Sequence, residues 1–423
     1  MSRTLWIDVT MLVNWSGKMT GIQRVEYNLA SRFAKKNYVK FFVFDKTQNK
    51  LIDFDFKHIE YKINSAQNEP TVSVTEAVEV APVVGIRGKV PKSAIKLLKP
   101  LYKAVRSGAR QIKHGLSINA VKKADIKNGD DVLILSGDWS DDAFISLIAK
   151  KKQDGGLNVI QVIYDMLPSV YPAYFIEGMP KQFSDYMKKA LKVSDQVLAI
   201  SESTKKDINL FIKKNSLPKV QIDVFRLGDD FVLNDPEMPH SAKNQLKNKF
   251  LLTVGTVEAR KNHQLILDAY IEAEKSNMDL PVMVVAGKKG WLVESFMKNI
   301  QDNPSVEKKI IFLQPTDTEL AWLYKKCAFT VFPSIYEGWG LPVAESLFNG
   351  KLCLSSNSSS MPEIAGDMID YFAPDNSSEL LSKMNFYLNN DKKLKEKEHT
   401  IKGYKPTSWE DSFNEVCSLI KKR

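Results

Sequence analysis

The stretch Pro333-Ser334-Ile335-Tyr336-Glu337-Gly338-Trp339-Gly340-Leu341-Pro342-Val343-Ala344-Glu345 decides how the rest of the chain is read. An apolar run, Phe329 to Phe332, precedes it, and the run Val343 to Phe348 is compatible with a helix. The order is therefore strand, glycine-containing loop, helix start. In an open α/β sheet such a loop lies at the carboxyl end of a strand, beside a helix N-terminus whose free N–H groups attract anions. Gly338 and Gly340 let the backbone approach a ligand closely or take positive φ. Glu337 is expected to face that ligand, while Glu345, about two turns on, falls inside the helix. Two acids so spaced suit a ligand with hydroxyls at two separated places, such as a sugar and a ribose. A lone glutamate on a first helical turn is otherwise an ordinary solvated partner of the helix dipole.

With its neighbours, the element resembles a known family. Residues Ile311 to Asn376 look like the donor-binding half of the retaining family 4 glycosyltransferases, which have the GT-B fold and carry two glutamates with seven residues between them, here Glu337 and Glu345. Thr253-Val254-Gly255-Thr256-Val257-Glu258-Ala259-Arg260-Lys261-Asn262 is similar to the family's strand and loop that carry diphosphate-binding cations. Val284-Val285-Ala286-Gly287-Lys288-Lys289-Gly290-Trp291 matches its next strand and turn. Thr20-Gly21-Ile22-Gln23-Arg24-Val25-Glu26 resembles its glycine-bearing first loop, which places Gly21 among the binding residues. These motifs follow the family order over most of the chain.

Composition bounds the remainder. At 423 residues the chain is too long for one core and predicts two or three domains. Three cysteines, Cys327, Cys353 and Cys417, with no CxxC or His-rich spacing, predict neither a disulfide framework nor a structural zinc site. The amino terminus lacks the apolar core of a signal peptide, and no stretch reaches the ~18–20 apolar residues of a membrane span. The expectation is a soluble, cytoplasmic protein, placed peripherally at the inner membrane face if its basic segment binds lipid. Of the net charge of +10, Pro91 to Lys127 contributes ten Lys or Arg against one acid, Asp125. Apolar residues there recur at helical spacing. A basic amphipathic helix favours an anionic membrane surface; the alternative is a surface helix packed on its own domain. Nucleic acid is not expected, because no aromatic interleaving or binding motif accompanies the charge.

Along the chain, short apolar strands alternate with helical stretches. Leu5–Val9, Val39–Phe44, Val132–Leu135, Val159–Tyr164, Val197–Ile200 and Ile222–Phe225 read as strands of a first parallel sheet wound on both faces. The region Thr47 to Pro91 reads as irregular, and Leu227 to Lys249 as the linker. A second alternation begins at Phe250. Two Rossmann-like domains facing each other across a cleft are expected: 1–228, joined by a C-terminal helix over 408–423 that crosses back, and 229–407. The resemblance makes the first the acceptor side and the second the nucleotide-sugar side.

In such a cleft a departing nucleoside diphosphate needs fixed positive charge where negative charge grows. The resemblance assigns this to side chains and a helix N-terminus rather than to a metal, so no cofactor is expected. Lys261 matches the family lysine. Thr256 stands where an arginine is often found, so that either Arg260 substitutes for it or Lys261 acts alone. Glu345 would hold the ribose hydroxyls, and Glu337, with the backbone N–H groups of Gly338, Trp339, Gly340 and Leu341, the sugar ring. Trp339, in place of the usual phenylalanine, shapes the sugar pocket or packs. Asp165, before Met166-Leu167-Pro168, matches the family's His/Tyr-Asp-hydrophobic-Leu-Pro pattern, with Tyr164 where many relatives carry histidine. It would orient or deprotonate an acceptor hydroxyl, or else cap the next turn. Gly137-Asp138-Trp139 is a second acceptor-side candidate. The acidic pairs Asp141-Asp142 and Asp229-Asp230 read as solvated loop residues rather than metal ligands.

The activity implied is hexosyl transfer with retention by front-face attack, mannose from GDP-mannose being the first choice. The acceptor would be lipid-linked or a growing polysaccharide of a bacterial surface. The alternatives are a sugar-nucleotide epimerase or hydrolase on the same scaffold, and a non-catalytic scaffold partner.

Overall fold

The computed structural model describes residues 3–15, 19, 21–68, 122–137, 139, 142–230 and 235–421. Of the basic stripe expected over 91–127, residues 91–121 lie outside the described residues, as do Asp138, Ser140 and Asp141. A first sheet contains β1 (Leu5–Asp8), β2 (Val39–Asp45), β3 (Lys50–Phe54), β4 (Asp131–Ile134), β5 (Asn158–Ile163), β6 (Gln196–Ala199) and β7 (Gln221–Val224), in the order β3-β2-β1-β4-β5-β6-β7. All its pairings are parallel except β2 with β3. A second, wholly parallel sheet contains β8 (Phe250–Val254), β9 (Val282–Ala286), β10 (Ile310–Leu313), β11 (Thr330–Phe332), β12 (Cys353–Ser356) and β13 (Asp370–Phe372), in the order β10-β9-β8-β11-β12-β13.

Strands flanked by helices on both faces must be apolar on both. In β5 and the residue after it, Ile160, Val162 and Tyr164 enter one buried cluster, while Val159 and Ile163 enter another on the opposite face. Two findings depart from the sequence reading. The region expected to be irregular contains β3 and the helix Lys57–Asn68, and β13 adds an edge strand. Antiparallel β3 is short and only half-buried, so its alternation is weak in the sequence.

Both sheets reverse winding direction once, between β1 and β4 in the first and between β8 and β11 in the second. A crevice opens beyond the strand ends at such a point, between two loops that diverge to opposite faces. The loops after β8 and β11 are the two that carry Arg260-Lys261 and Glu337.

The final helix, Trp409–Lys421, packs on the first domain: Phe413 meets Phe33 edge-on at 4.8 Å, and Arg32 Nε lies 3.1 Å from Glu410. The Trp409 ring also rests on Gly228, where a Cβ would lie 2.4 Å from it. Asp229 corrects the solvated reading of its pair. It is fully buried, accepts from the Thr407 N–H at 2.6 Å and from the Tyr404 hydroxyl, and pairs with Arg226 at 3.3 Å. Asp230 accepts from the Trp409 N–H at 3.2 Å. These acids clamp the returning chain, a tertiary role with no local sequence mark.

Candidate active site

The loop after β11 turns into the helix Leu341–Phe348 at Gly340, whose φ of 121° suits glycine, with Pro342 in the first helical turn. Glu337 lies in that loop, almost fully buried. Its carboxylate accepts from Arg260 Nη1 at 2.8 Å, Lys261 Nζ at 2.6 Å and the Ser334 hydroxyl. Burial alone would push this carboxyl up, but the two cations and Ser334 hold it down at about 2. Glu337 is thus a fixed counter-charge between loops. Arg260 is bound again by Glu258, Nη2 to Oε1 at 2.7 Å. Its pKa is raised: burial opposes the charge, and the surrounding carboxylates outweigh it. For Lys261 burial dominates, and its pKa is lowered despite Glu337.

Backbone contacts stitch the two loops. Ile335 N–H donates to Arg260 O at 2.9 Å, and Asn262, in left-handed conformation at φ 59°, donates to Pro333 O at 3.1 Å and Pro374 O at 2.7 Å. The cations therefore sit on a braced turn rather than a solvated one.

Glu345 follows one face down the helix and is buried. One oxygen accepts from the Tyr324 hydroxyl at 2.7 Å and the other from Arg24 Nη1 of the first domain at 3.2 Å. Trp339 is 6% exposed and belongs to the main core, with Arg226 stacked 5.4 Å from its ring centroid. Its indole N–H has no hydrogen-bond partner among the described residues. Trp339 thus packs, with a donor in reserve. Leu341 is half-buried at the helix start, and Gly21, at φ 49°, precedes the helix Ile22–Phe33.

The two domains meet at this site. A Cβ at Gly338 would lie 2.0 Å from Tyr164 O and 3.1 Å from Asp165 Cβ, so only glycine allows the approach. Asp165 faces that loop from the end of β5 and accepts from the Leu167 N–H at 3.0 Å, the turn-capping contact. Burial raises its pKa, with Arg260 and the Leu167 bond pulling against it. Asp165 and the Arg260–Lys261–Glu337 cluster are therefore in one electrostatic field. Trp139 packs edge-on to Phe183 at 5.7 Å, which places it in the first-domain core. His263 heads the helix His263–Lys275, and its pKa falls to about 3, mainly by burial and then by Lys261.

Several residues escaped the sequence reading. Glu258 and Ser334 complete the ion network, and Tyr324 orients Glu345. Glu26 is fully buried, and among the described residues neither its carboxylate oxygens nor the hydroxyls of Ser136 and Tyr164 make a hydrogen bond of good geometry, although the Ser136 hydroxyl is near enough to Glu26 to lower its pKa somewhat. Burial, then Asp8, raises the Glu26 pKa well above its ordinary value. Asp8 ends β1, Ser136 follows β4 and Tyr164 follows β5, so these groups gather at the first sheet's crevice. A signal for Glu26 was present, since it falls on the apolar stripe Val25, Leu29, Ala30, Phe33. Among the described residues no group of three or more His, Cys, Asp or Glu is placed to hold a metal, and no helix is long and apolar enough to cross a membrane.

Comparison with known proteins agrees with this geometry. Residues 234–404 match the family described as Glycosyl transferases group 1. The chain is 28% identical to the serotype-specific mannosyltransferase WbdA of Escherichia coli over 61% of its own length and 33% of that protein's. It is 30% identical to the O-antigen chain mannosyltransferase B of E. coli over 45% of its length and 52% of that protein's. The chain thus spans a third to a half of these curated relatives. Over the full length of both chains it superposes on Anabaena Alr3699/HepE in complex with UDP-glucose, with a TM-score of 0.61 and 13% identity. Sucrose-phosphate synthase from Thermosynechococcus elongatus superposes with a TM-score of 0.57, also at 13% identity. The fold is GT-B, and residues 234–404 of this chain are similar to the glycosyl transferases group 1 family.

Proposed function

We propose that the chain is a retaining hexosyltransferase that moves mannose from GDP-mannose to a lipid-linked or polysaccharide acceptor of a bacterial surface glycan. The observation that carries this reading is the convergence of Arg260 and Lys261 on Glu337, at 2.8 and 2.6 Å, facing Asp165 across the domain boundary. A donor diphosphate brings two negative charges into a site whose cations are already braced, so little reorganisation is needed when the phosphate leaves. Glu337 is ionised and shared by two cations, which makes it a poor nucleophile and a poor base. That supports front-face attack, with the departing phosphate taking the acceptor proton and Asp165 orienting the acceptor hydroxyl. Glu345 takes the ribose, and the closed domains exclude the water that would hydrolyse the donor.

The sugar is suggested by the relatives, which are named as mannosyltransferases. On the first-domain side, Glu26, Ser136 and Tyr164, without a hydrogen bond of good geometry among the described residues, suit the hydroxyls of a neutral sugar acceptor, because buried polar groups without partners are costly. The basic segment 91–127 is proposed to meet anionic lipid, where a lipid-linked acceptor resides. Flotation with anionic and neutral liposomes tests that part. Thermal-shift screening with GDP-, UDP-, ADP- and dTDP-sugars tests the donor, since a tight ligand stabilises by mass action. Stabilisation by GDP-mannose above the others is expected; stabilisation by none sinks the reading. Rapid release of free sugar without acceptor would replace transfer by hydrolysis.

A further inference from the structure

Arg24 belongs to the first domain, on the opening turn of the helix Ile22–Phe33, yet its guanidinium reaches Glu345 in the second at 3.2 Å. The two side chains are 30% and 10% exposed, so the pair is shielded more than a surface salt bridge. The second Glu345 oxygen is already held by Tyr324. A ribose seeking this carboxylate must therefore share with Arg24 or displace it.

Other contacts join the domains without using either donor glutamate side chain. Glu363 accepts from the N–H groups of Glu202 and Ser203, both at 2.8 Å, at the N-terminus of the helix Glu202–Lys214. The Tyr336 hydroxyl meets Ser203 at 3.2 Å and donates to Asp207. Trp291 Nε1 donates to Tyr174 O at 3.1 Å. These would hold the closed arrangement when the Arg24 pair breaks, so its rupture reports on ligand entry rather than on folding.

We propose that Arg24 is a gate on the nucleotide site. It ties the domains together through Glu345, and the ribose of an entering nucleoside diphosphate takes the carboxylate from it. The proposal rests on Glu345 being the ribose group. Because coupling between two binding events is reciprocal, a contact the nucleotide must break is one whose removal tightens the nucleotide. This sign separates a gate from a direct ligand, since an arginine bound to the diphosphate would lose affinity on substitution.

The test is calorimetric titration of GDP and UDP into the full chain at about 0.15 M salt, where exposed charges are screened over ~8 Å. Wild type, R24Q, R24K and E345Q are compared. R24Q is expected to bind the preferred nucleotide ~5–50-fold tighter, in the range of ordinary allosteric couplings. R24K, which keeps the charge but not the planar fork, should fall between R24Q and wild type. E345Q should lose most of the affinity. Unchanged or weaker binding by R24Q, with E345Q impaired, overturns the gate and leaves the donor site standing. E345Q binding like wild type, or no binding by any form, overturns the ribose assignment and the gate with it.

Discussion

The two crevices of this molecule share an architecture and differ in how their polar groups are satisfied. In the second domain, Glu258, Arg260, Lys261, Glu337 and Ser334 form a closed network in which each charge has a counter-charge within hydrogen-bond reach. In the first, Glu26, Ser136 and Tyr164 are buried with side-chain oxygens that, among the described residues, make no hydrogen bond of good geometry. A charged ligand needs charges already fixed, because holding unpaired cations ready in a shielded site is prohibitive. A neutral hydroxylated ligand needs only donors and acceptors, and an acid whose neutral form burial favours can supply both. The contrast is what a charged donor and an uncharged acceptor would require.

The largest test of this comparison is steric. Gly338→Ala inserts a methyl 2.0 Å from Tyr164 O, so the Glu337 loop and the Asp165 turn must separate. A displacement of about 1 Å at reacting groups costs ~10²-fold in rate. Transfer is expected to fall by that order while nucleotide affinity by calorimetry stays close to wild type. Wild-type turnover would show that the two crevices do not act together.

Next is Lys261→Ala, which removes one cation from Glu337. Charge-assisted hydrogen bonds contribute ~1.5–3 kcal/mol, so nucleotide affinity should drop ~10–100-fold. Denaturant unfolding should also show a loss of ~2–4 kcal/mol, because a shielded carboxylate loses a partner.

The third concerns pH. The Glu337 carboxyl is held at about 2 in the fold, below its ordinary 4.5, so the native state favours the ionised form. Its contribution is therefore present above the ordinary value and is lost as pH falls toward about 2. On the order of 3 kcal/mol should disappear in this window, since each pH unit between the two values is worth about 1.4 kcal/mol, read by urea unfolding at stepped pH. Glu337→Gln should flatten that part of the profile; an unchanged profile would detach Glu337 from the ion network.

Smallest is Glu26→Gln, which conserves shape and removes the acid. One hydrogen bond of about 1 kcal/mol implies a ~5-fold rise in acceptor KM with donor affinity unchanged. Stability should hold, since the carboxyl is already disposed to be neutral by burial. A fall in donor affinity instead would assign Glu26 to the wrong crevice.

The second domain was the more legible of the two in sequence because its motifs are local. Arg260-Lys261 and Glu337…Glu345 each lie within one strand-loop-helix unit, where spacing and glycines carry the geometry. What sequence left open was what these residues touch. Glu337 was read toward a sugar and is found between two cations. Trp339 was left between pocket and core and is found packed under Arg226. Asp229 was read as solvated and is fully buried. Glu26 offered a signal, an acid on an apolar stripe, whose meaning depends on Asp8, Ser136 and Tyr164 arriving from three other elements.

By itself, the amino-acid sequence determined the alternation of apolar strands and amphipathic helices, and with it two largely parallel sheets, because burial on both faces demands that pattern. It also determined which loops carry cations and acids. Only the tertiary structure decided their pairing: Arg24 on Glu345 across more than three hundred residues, Gly338 against Tyr164, and the last helix beneath Gly228. These contacts join segments whose local patterns are satisfied separately. Their partners are chosen by how the two sheets dock, and nothing in periodicity or spacing encodes that choice.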